Sequence, residues 1–368
     1  MLRDSVAGYL GRSYDFEARR AAAESEAGWR PQVWRAFAED LGILGAPFPE
    51  NLGGLGGGAV ETLIIMEEFG KALVLEPYVG AVVIGGGLLK NSAHPRAAEL
   101  IAGIVSGDII FAFAGPEPQG RHNLADVRTT AVKSGDGWTL NGTKAVVTGA
   151  PWASHLVVTA RTSGAQRDRA GISAFIVPAK AAGVNLQEFP TVDGSRAAEV
   201  MLEDVKVAAS DLIGVEGAGL PLVERAVDEA IVATCAEACG ILKRLVDDTV
   251  EYAKQRKQFG QAIGQFQALQ HRMVDMFIQL EQAVSITYLA TIRLDDDAER
   301  AKAASAAKAQ VGKAAKFVGQ NAVQLHGGMG MTDELPIGWY FRRLTVLENQ
   351  FGSTDHHLAR YDRLAFGE

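Results

Sequence analysis

Between Asp108 and Gly214 the apolar period of the chain changes, and this change governs what it can fold into. On either side, apolar residues recur about every three to four positions, the spacing of an amphipathic helix. Inside the stretch they form short runs: Ile109 to Ala114, Trp138 to Leu140, Ala145 to Val147, His155 to Ala160, Ile172 to Val177 and Glu199 to Leu202. Gly135-Asp136-Gly137 and Asn141-Gly142 stand where hairpin turns belong. Strands that follow one another without intervening helices predict an antiparallel sandwich or barrel. The expected fold class is α+β, with a helical domain over 1–107, a β domain over 108–215 and a helical domain over 216–368.

In the first part, Trp34, Phe37, Leu41 and Leu44 make one helical stripe, and Leu63, Ile64, Met66, Phe69 and Leu73 another. The glycine-rich run from Pro47 to Gly58 separates them. It is not a phosphate loop, because no Gly-Lys-Ser or Gly-Lys-Thr follows and no strand precedes it, so it reads as a loop folded over the helices. Leu2, Val6, Tyr9 and Leu10 enter a helical pattern with no capping residue ahead, as if a leading helix were missing. In the last part, four long periodic segments, 221–254, 266–292, 297–325 and 336–366, predict an antiparallel four-helix bundle.

A net charge of −8 and the lack of a long basic run give no electrostatic footprint for nucleic acid. No apolar segment approaches the roughly 20 residues that span a bilayer, and no signal peptide opens the chain, so no membrane partner and a cytoplasmic location are expected. The two cysteines, Cys235 and Cys239, have no His or carboxylate set at ligand spacing. They fit a reducing compartment, without a disulfide framework and without a metal.

One stretch in the last part combines cations, an aromatic and amides. From Tyr252 to Gln270, Arg256 and Lys257 close a helical segment, Phe259 and Gly260 break it, and Gly264 precedes a new run beginning at Phe266 and Leu269. Such a corner suits a planar, phosphorylated ligand. Basic residues in a last helical turn also complement the helix dipole, so spacing alone leaves both readings open.

The phrases PENLGGLGGG, NGTKAVVTG, LEDVKV, YAKQRKQFG and NAVQLHGGMGMT, in a helix, β, helix order, resemble the acyl-CoA dehydrogenase family over nearly the whole chain. The resemblance implies an FAD enzyme that removes two hydrogens across the α and β carbons of an acyl-CoA thioester. A carboxylate takes the α proton, and the electrons pass on to an electron-transferring flavoprotein. The chemistry requires donors that polarise the thioester carbonyl and a placed base. In such enzymes one subunit's bundle reaches the adenosine and pyrophosphate end of a neighbour's FAD. Carried onto this sequence, the resemblance assigns Arg256 to the pyrophosphate, Phe259 to the adenine side and Gln267 nearby. The turn Gln324, Leu325, Gly327 and Gly328 is implied to approach the nucleotide through its backbone, and Thr148 to stand by the ring.

Departures from the family fall on the ring side. Where a Thr-Glu-Pro phrase followed by glycines and Ser-Asp is expected, the chain reads GPEPQGRHNLADVRTT. Pro116 replaces the Thr and has no N–H to give, and His122 replaces the Ser. Val146-Val147-Thr148 keeps the Thr of a Trp-Ile-Thr phrase and loses its aromatic. The family's usual base position holds Phe351, within Gln350-Phe351-Gly352-Ser353, and the alternative position on the first bundle helix holds Ala230, followed by Ile231. Neither residue can take a proton. Asp228, Glu229 and Asp355 are the carboxylates nearby, but one helical step turns a side chain by about 100°. His356 and His357 follow Asp355, with a solvated face or helix cap as the alternative to a metal site.

A kept nucleotide grip beside a lost base implies a subunit that completes a homologous catalytic subunit. The SYDFEARR opening, the GGGAVETLIIMEEFG run and the FGSTDHHL ending are similar to small subunits of heteromeric dehydrogenases, such as those of pimeloyl-CoA and of bacterial steroid side-chain breakdown. Two alternatives stay open: a self-sufficient homotetramer with a displaced carboxylate, and a non-redox structural or regulatory partner.

Overall fold

The stripe at Leu63, Met66 and Phe69 folds into a helix with these side chains buried. In chain order, α1 (Leu2–Ser13), α2 (Phe16–Glu24), α3 (Pro31–Glu39), α4 (Ala59–Ala72), α5 (Gly87–Asn91) and α6 (Ala97–Val105) come first. A π-helical stretch, Val79–Gly86, leads into α5. Eight strands follow: β1 (Phe111–Ala114), β2 (Thr130–Ser134), β3 (Gly137–Thr148), β4 (His155–Arg161), β5 (Ile172–Pro178), β6 (Val184–Pro190), β7 (Arg196–Ala208) and β8 (Leu212–Ile213). Then come α7 (Leu220–Gln255), the short β9 (Lys257–Gln258) and β10 (Gln261–Ala262), α8 (Gln267–Ile292), α9 (Arg300–His326), α10 (Ile337–Asn349) and α11 (Thr354–Phe366). The computed structural model describes residues 1–367 and divides into two units, one of 1–21, 59–74 and 231 onward, the other of 22–58 and 75–230.

In the second unit the sheet runs in the order β6-β7-β3-β2-β4-β5-β8, with β1 beside β4. Its pairing is antiparallel except that β1 runs parallel to β4, Phe111 opposite His155, and β2 meets β4 parallel at Thr130 and Arg161. Leu140, Leu156, Val158, Phe175, Val177, Val200 and Val205 fill the core between the strands. The turn expected at Gly135-Asp136-Gly137 is present, with Ser134 opposite Gly137. Asn141-Gly142 is not a turn. It lies inside β3 at a shift of register against β7, where a side chain on Gly142 would come within 2.6 Å of Thr129 Cα. The two runs read separately, Trp138 to Leu140 and Ala145 to Val147, are therefore one bent strand.

In the first unit α4 crosses α7 at close range. A Cβ on Gly70 would lie 1.9 Å from the Glu237 carbonyl oxygen, and one on Gly240 would lie 2.0 Å from that of Glu67, so only glycine lets the two backbones meet. Arg3 on α1 ties itself to α4 through Glu67 and Glu68, both at 2.6 Å. Around α9 pack α8, α10 and α11. The fourth periodic segment, read as one helix over 336–366, is two. Phe351 (φ 61°) and Gly352 (φ 125°) leave the right-handed helical region, and Ser353 restarts the chain by capping α11. Along α8, Val274, Phe277, Ile278, Tyr288, Leu289 and Ile292 are exposed at helical spacing. Among the described residues no helix is long and apolar enough to cross a membrane.

Candidate functional site

Where the sequence shows only a break after Arg256, the chain forms a small hairpin. Gln258 pairs with Gln261 and Lys257 with Ala262, leaving Phe259 (φ 52°) and Gly260 (φ 82°) as a two-residue turn of the I′ type. The Ile263 N–H donates to the Arg256 carbonyl at 2.8 Å and closes the base of the hairpin. An aromatic residue held at positive φ carries backbone strain of about 1 kcal/mol or more. Phe259 is also 91% exposed, with Phe266 edge-on at 6.3 Å between ring centroids. Phe266 precedes α8 without a side-chain cap, and Arg256, Lys257 and Gln267 are exposed around that helix start.

The second glycine phrase meets the same end of the first unit. Tyr252, on the last turn of α7, stacks on His326, the last residue of α9, with ring centroids 4.3 Å apart and planes inclined by 30°. Beyond His326 the chain turns through Gly327 at φ 60° and ψ −140°, a region open to glycine. A Cβ on Gly327 or Gly328 would meet nothing within 4 Å, so this backbone is bare. Gln324 is exposed, and Leu325 is buried beneath the turn. Arg256, Phe259, Gln267 and the 324–328 turn thus share one end of the unit.

In the other unit Thr148 ends β3 with its side chain exposed. Two residues earlier Val146 is exposed at φ 51°, an unusual conformation for a β-branched residue, within a register shift between Lys144 and Val147. Lys144 is buried below this bulge and donates to Glu117 at 2.7 Å, to the Gly115 carbonyl at 3.3 Å and to Thr159 at 3.2 Å. Glu117 also accepts from the N–H groups of Arg128 (2.7 Å) and Thr129 (3.0 Å). Burial alone would raise the Glu117 carboxyl, but the Lys144 charge and these hydrogen bonds outweigh it and hold the carboxyl at about 2. Burial lowers the Lys144 ammonium to about 8, against the pull of Glu117. Pro116 accepts from the Ala145 N–H at 3.0 Å. His122, in the same loop, is half-buried.

The carboxylates considered as a base lie in different settings. Asp228 is 2% exposed, and Glu229, half-buried, accepts from Arg225 at 3.3 Å. Ala230 is fully buried. Asp355 is exposed in the first turn of α11, where a carboxylate complements the helix dipole. Phe351 is half-buried, and its carbonyl accepts from His357 Nε2 at 3.0 Å. Burial lowers the His357 imidazole to about 3, which makes it a neutral tie for the loop. Among the described residues no group of three or more His, Cys, Asp or Glu is placed to hold a metal ion.

Models of the acyl-CoA dehydrogenase N-terminal, middle and C-terminal domains match residues 1–108, 112–205 and 217–363. The chain belongs to the acyl-CoA dehydrogenase family. It is 32% identical to the caffeyl-CoA reductase-Etf complex subunit CarC of Acetobacterium woodii, over 87% of this chain and 86% of that one. Among solved structures, the ChsE4-ChsE5 complex from Mycobacterium tuberculosis superposes with a TM-score of 0.90 at 27% identity, covering 99% of this chain and 96% of that one. The FAD complex of PigA superposes at 0.91 and 26% identity, covering 98% and 96%. The chain is thus of a family of FAD-dependent oxidoreductases acting on CH–CH bonds, with FAD as cofactor. The bare Gly327-Gly328 backbone, the uncapped start of α8 and an exposed guanidinium together suit a dinucleotide pyrophosphate.

The hairpin was not legible beforehand, because Phe-Gly lacks the Asn-Gly or Asp-Gly that marks a I′ turn. The Tyr252–His326 stack has no local signature, because it joins residues 74 positions apart.

Proposed function

We propose that this chain is the non-basic subunit of a heteromeric FAD-dependent acyl-CoA dehydrogenase, completing the cofactor site of a homologous catalytic subunit. The observation that carries this reading is Phe259, strained and 91% exposed at a hairpin tip. Such a side chain gains its stabilisation from something outside its own chain. In this reading Arg256 neutralises the pyrophosphate, Phe259 covers the adenine side, and Gln267 and Gln324 offer amides. Leu325 supports the turn from below, while Gly327 and Gly328 let their backbone approach the nucleotide. Thr148 presents a hydroxyl on the ring side.

When bound, FAD supplies the acceptor for the hydride that leaves the β carbon of the acyl-CoA. Removal of the α proton falls to the partner, because Phe351 and Ala230 hold no ionisable group. The two-named complex from Mycobacterium tuberculosis supports a heteromeric assembly, and the exposed apolar face of α8 supports burial against another chain. The Etf complex of the Acetobacterium woodii relative supports an electron-transferring flavoprotein as acceptor. The expected acyl groups are those of fatty acid or steroid side-chain breakdown, handled in the cytoplasm.

The test is purification of the chain alone and together with a candidate homologous acyl-CoA dehydrogenase subunit, measuring FAD content and acyl-CoA oxidation. The expected result is turnover only in the pair. Full turnover with one FAD per chain in the lone protein overturns the proposal. It would then favour a homotetramer using Glu229, whose Oε2 faces space left by Gly87, 2.9 Å from where a Cβ would stand.

A further inference from the structure

We infer that Tyr252 and His326 are positioning residues that lock the two halves of the nucleotide grip to each other. The inference rests on the reading that Arg256, Gln324, Gly327 and Gly328 hold the adenosine and pyrophosphate end of FAD, and it assigns a role to two residues that this reading leaves out.

Tyr252 acts through both its backbone and its side chain. Its carbonyl accepts the Arg256 N–H at 2.8 Å, which fixes where α7 stops and the hairpin begins. Its hydroxyl donates to the His326 carbonyl at 3.4 Å, and its ring lies on the His326 ring at 4.3 Å. The carbonyls of a last helical turn have no partner within the helix. That of His326 stands at the junction of α9 with a short 3-10 turn over Gly327–Met331, whose N-cap residue is His326, and the Tyr252 hydroxyl ties this junction to the end of α7. The bond at 3.4 Å is long, so the ring stack carries much of the orientation.

His326 is itself immobilised from beneath. Its Nδ1 donates to the Ala322 carbonyl at 2.8 Å, which fixes the ring's orientation, and the residue is 5% exposed. Burial lowers its pKa below the ordinary histidine value, so the ring that stacks on Tyr252 is neutral at physiological pH. The phenol and imidazole therefore join the end of α7 to the end of α9 at the point where one gives way to the hairpin and the other to a short 3-10 turn. A change at Tyr252 moves the hairpin and the glycine turn relative to each other without removing any group that contacts the nucleotide.

The test uses the assembled protein as purified, with FAD, ADP and FMN as probes and binding followed by calorimetry and flavin fluorescence. ADP reports the nucleotide end alone, and FMN lacks the adenosine half. Tyr252→Leu and His326→Leu are expected to weaken FAD and ADP about tenfold or more and to leave FMN unchanged. Tyr252→Phe, which keeps the stack and loses the hydroxyl, is expected to fall between wild type and Tyr252→Leu. Should the leucine variants fail to fold, Tyr252→Phe and His326→Gln carry the same comparison. Equal loss for FMN and ADP, or no loss at all, overturns the inference. Arg256→Ala separates this from the reading beneath it. If Arg256→Ala weakens ADP and Tyr252→Leu does not, only the positioning role fails. If Arg256→Ala leaves ADP binding intact, the nucleotide reading fails and the inference with it.

Discussion

Lys144 and Glu117 form an ion pair at 2.7 Å in which the lysine side chain is 0% and the glutamate side chain 2% exposed. A pair this deep is costly to desolvate, and losing one partner leaves a bare charge. Lys144→Met is expected to destabilise the protein by about 3–5 kcal/mol, and the double variant Lys144→Met, Glu117→Leu to recover much of that loss. Urea unfolding of the three proteins checks this.

The same pair sets an acid limit. Glu117 titrates at about 2 in the fold against an ordinary value of 4.5. Its contribution to stability is therefore complete above pH 4.5 and is lost as the pH falls from there towards about 2. Stability measured across this range is expected to show a component that Glu117→Gln removes. An unchanged acid profile in that variant would contradict the assignment.

At the hairpin tip, strain and binding are expected to oppose each other. Phe259→Asn places at φ 52° a residue that tolerates it. Stability should rise by about 0.5–1 kcal/mol, while FAD retention falls at least tenfold. Thermal unfolding and flavin content, measured on one preparation, read both effects.

Gly70→Ala and Gly240→Ala each place a methyl about 2 Å from a backbone oxygen. Alanine's higher helix propensity, worth about 1 kcal/mol, favours the substitution. The collision is expected to win, with a net loss of about 1–3 kcal/mol. Chemical denaturation of the two variants decides which effect dominates.

Under the heteromeric reading, Asp228→Asn, Glu229→Gln and Asp355→Asn should each leave turnover of the complex within about threefold, because none supplies the base. A fall of several orders of magnitude at one of them would move the base onto this chain. Steady-state oxidation of an acyl-CoA measures this directly.

The long elements were legible because their apolar period survives in the structure: α7, α8 and α9 begin and end within a few residues of the predicted segments. What escaped was structure that leaves no apolar signal. In β6 no residue is fully buried, and in β2 only Ala131 is, so neither presents a run. The break between α10 and α11 was hidden because apolar spacing continues across Phe351, while the backbone there reaches φ 61°. For the candidate site, the cations and glycines were readable one by one. The ring stack that brings them together joins residues 74 positions apart, beyond the reach of any local pattern.

The exposed face of α8 also bears on how the protein is made. Under the heteromeric reading, a newly synthesised copy carries Phe277, Leu289, Ile292 and the phenylalanine at the hairpin tip uncovered until a second chain arrives. Any excess over its partner then circulates as sticky surface, open to chaperones and proteases. In that reading, matched output of the two chains from the ribosome is part of what keeps them from aggregating.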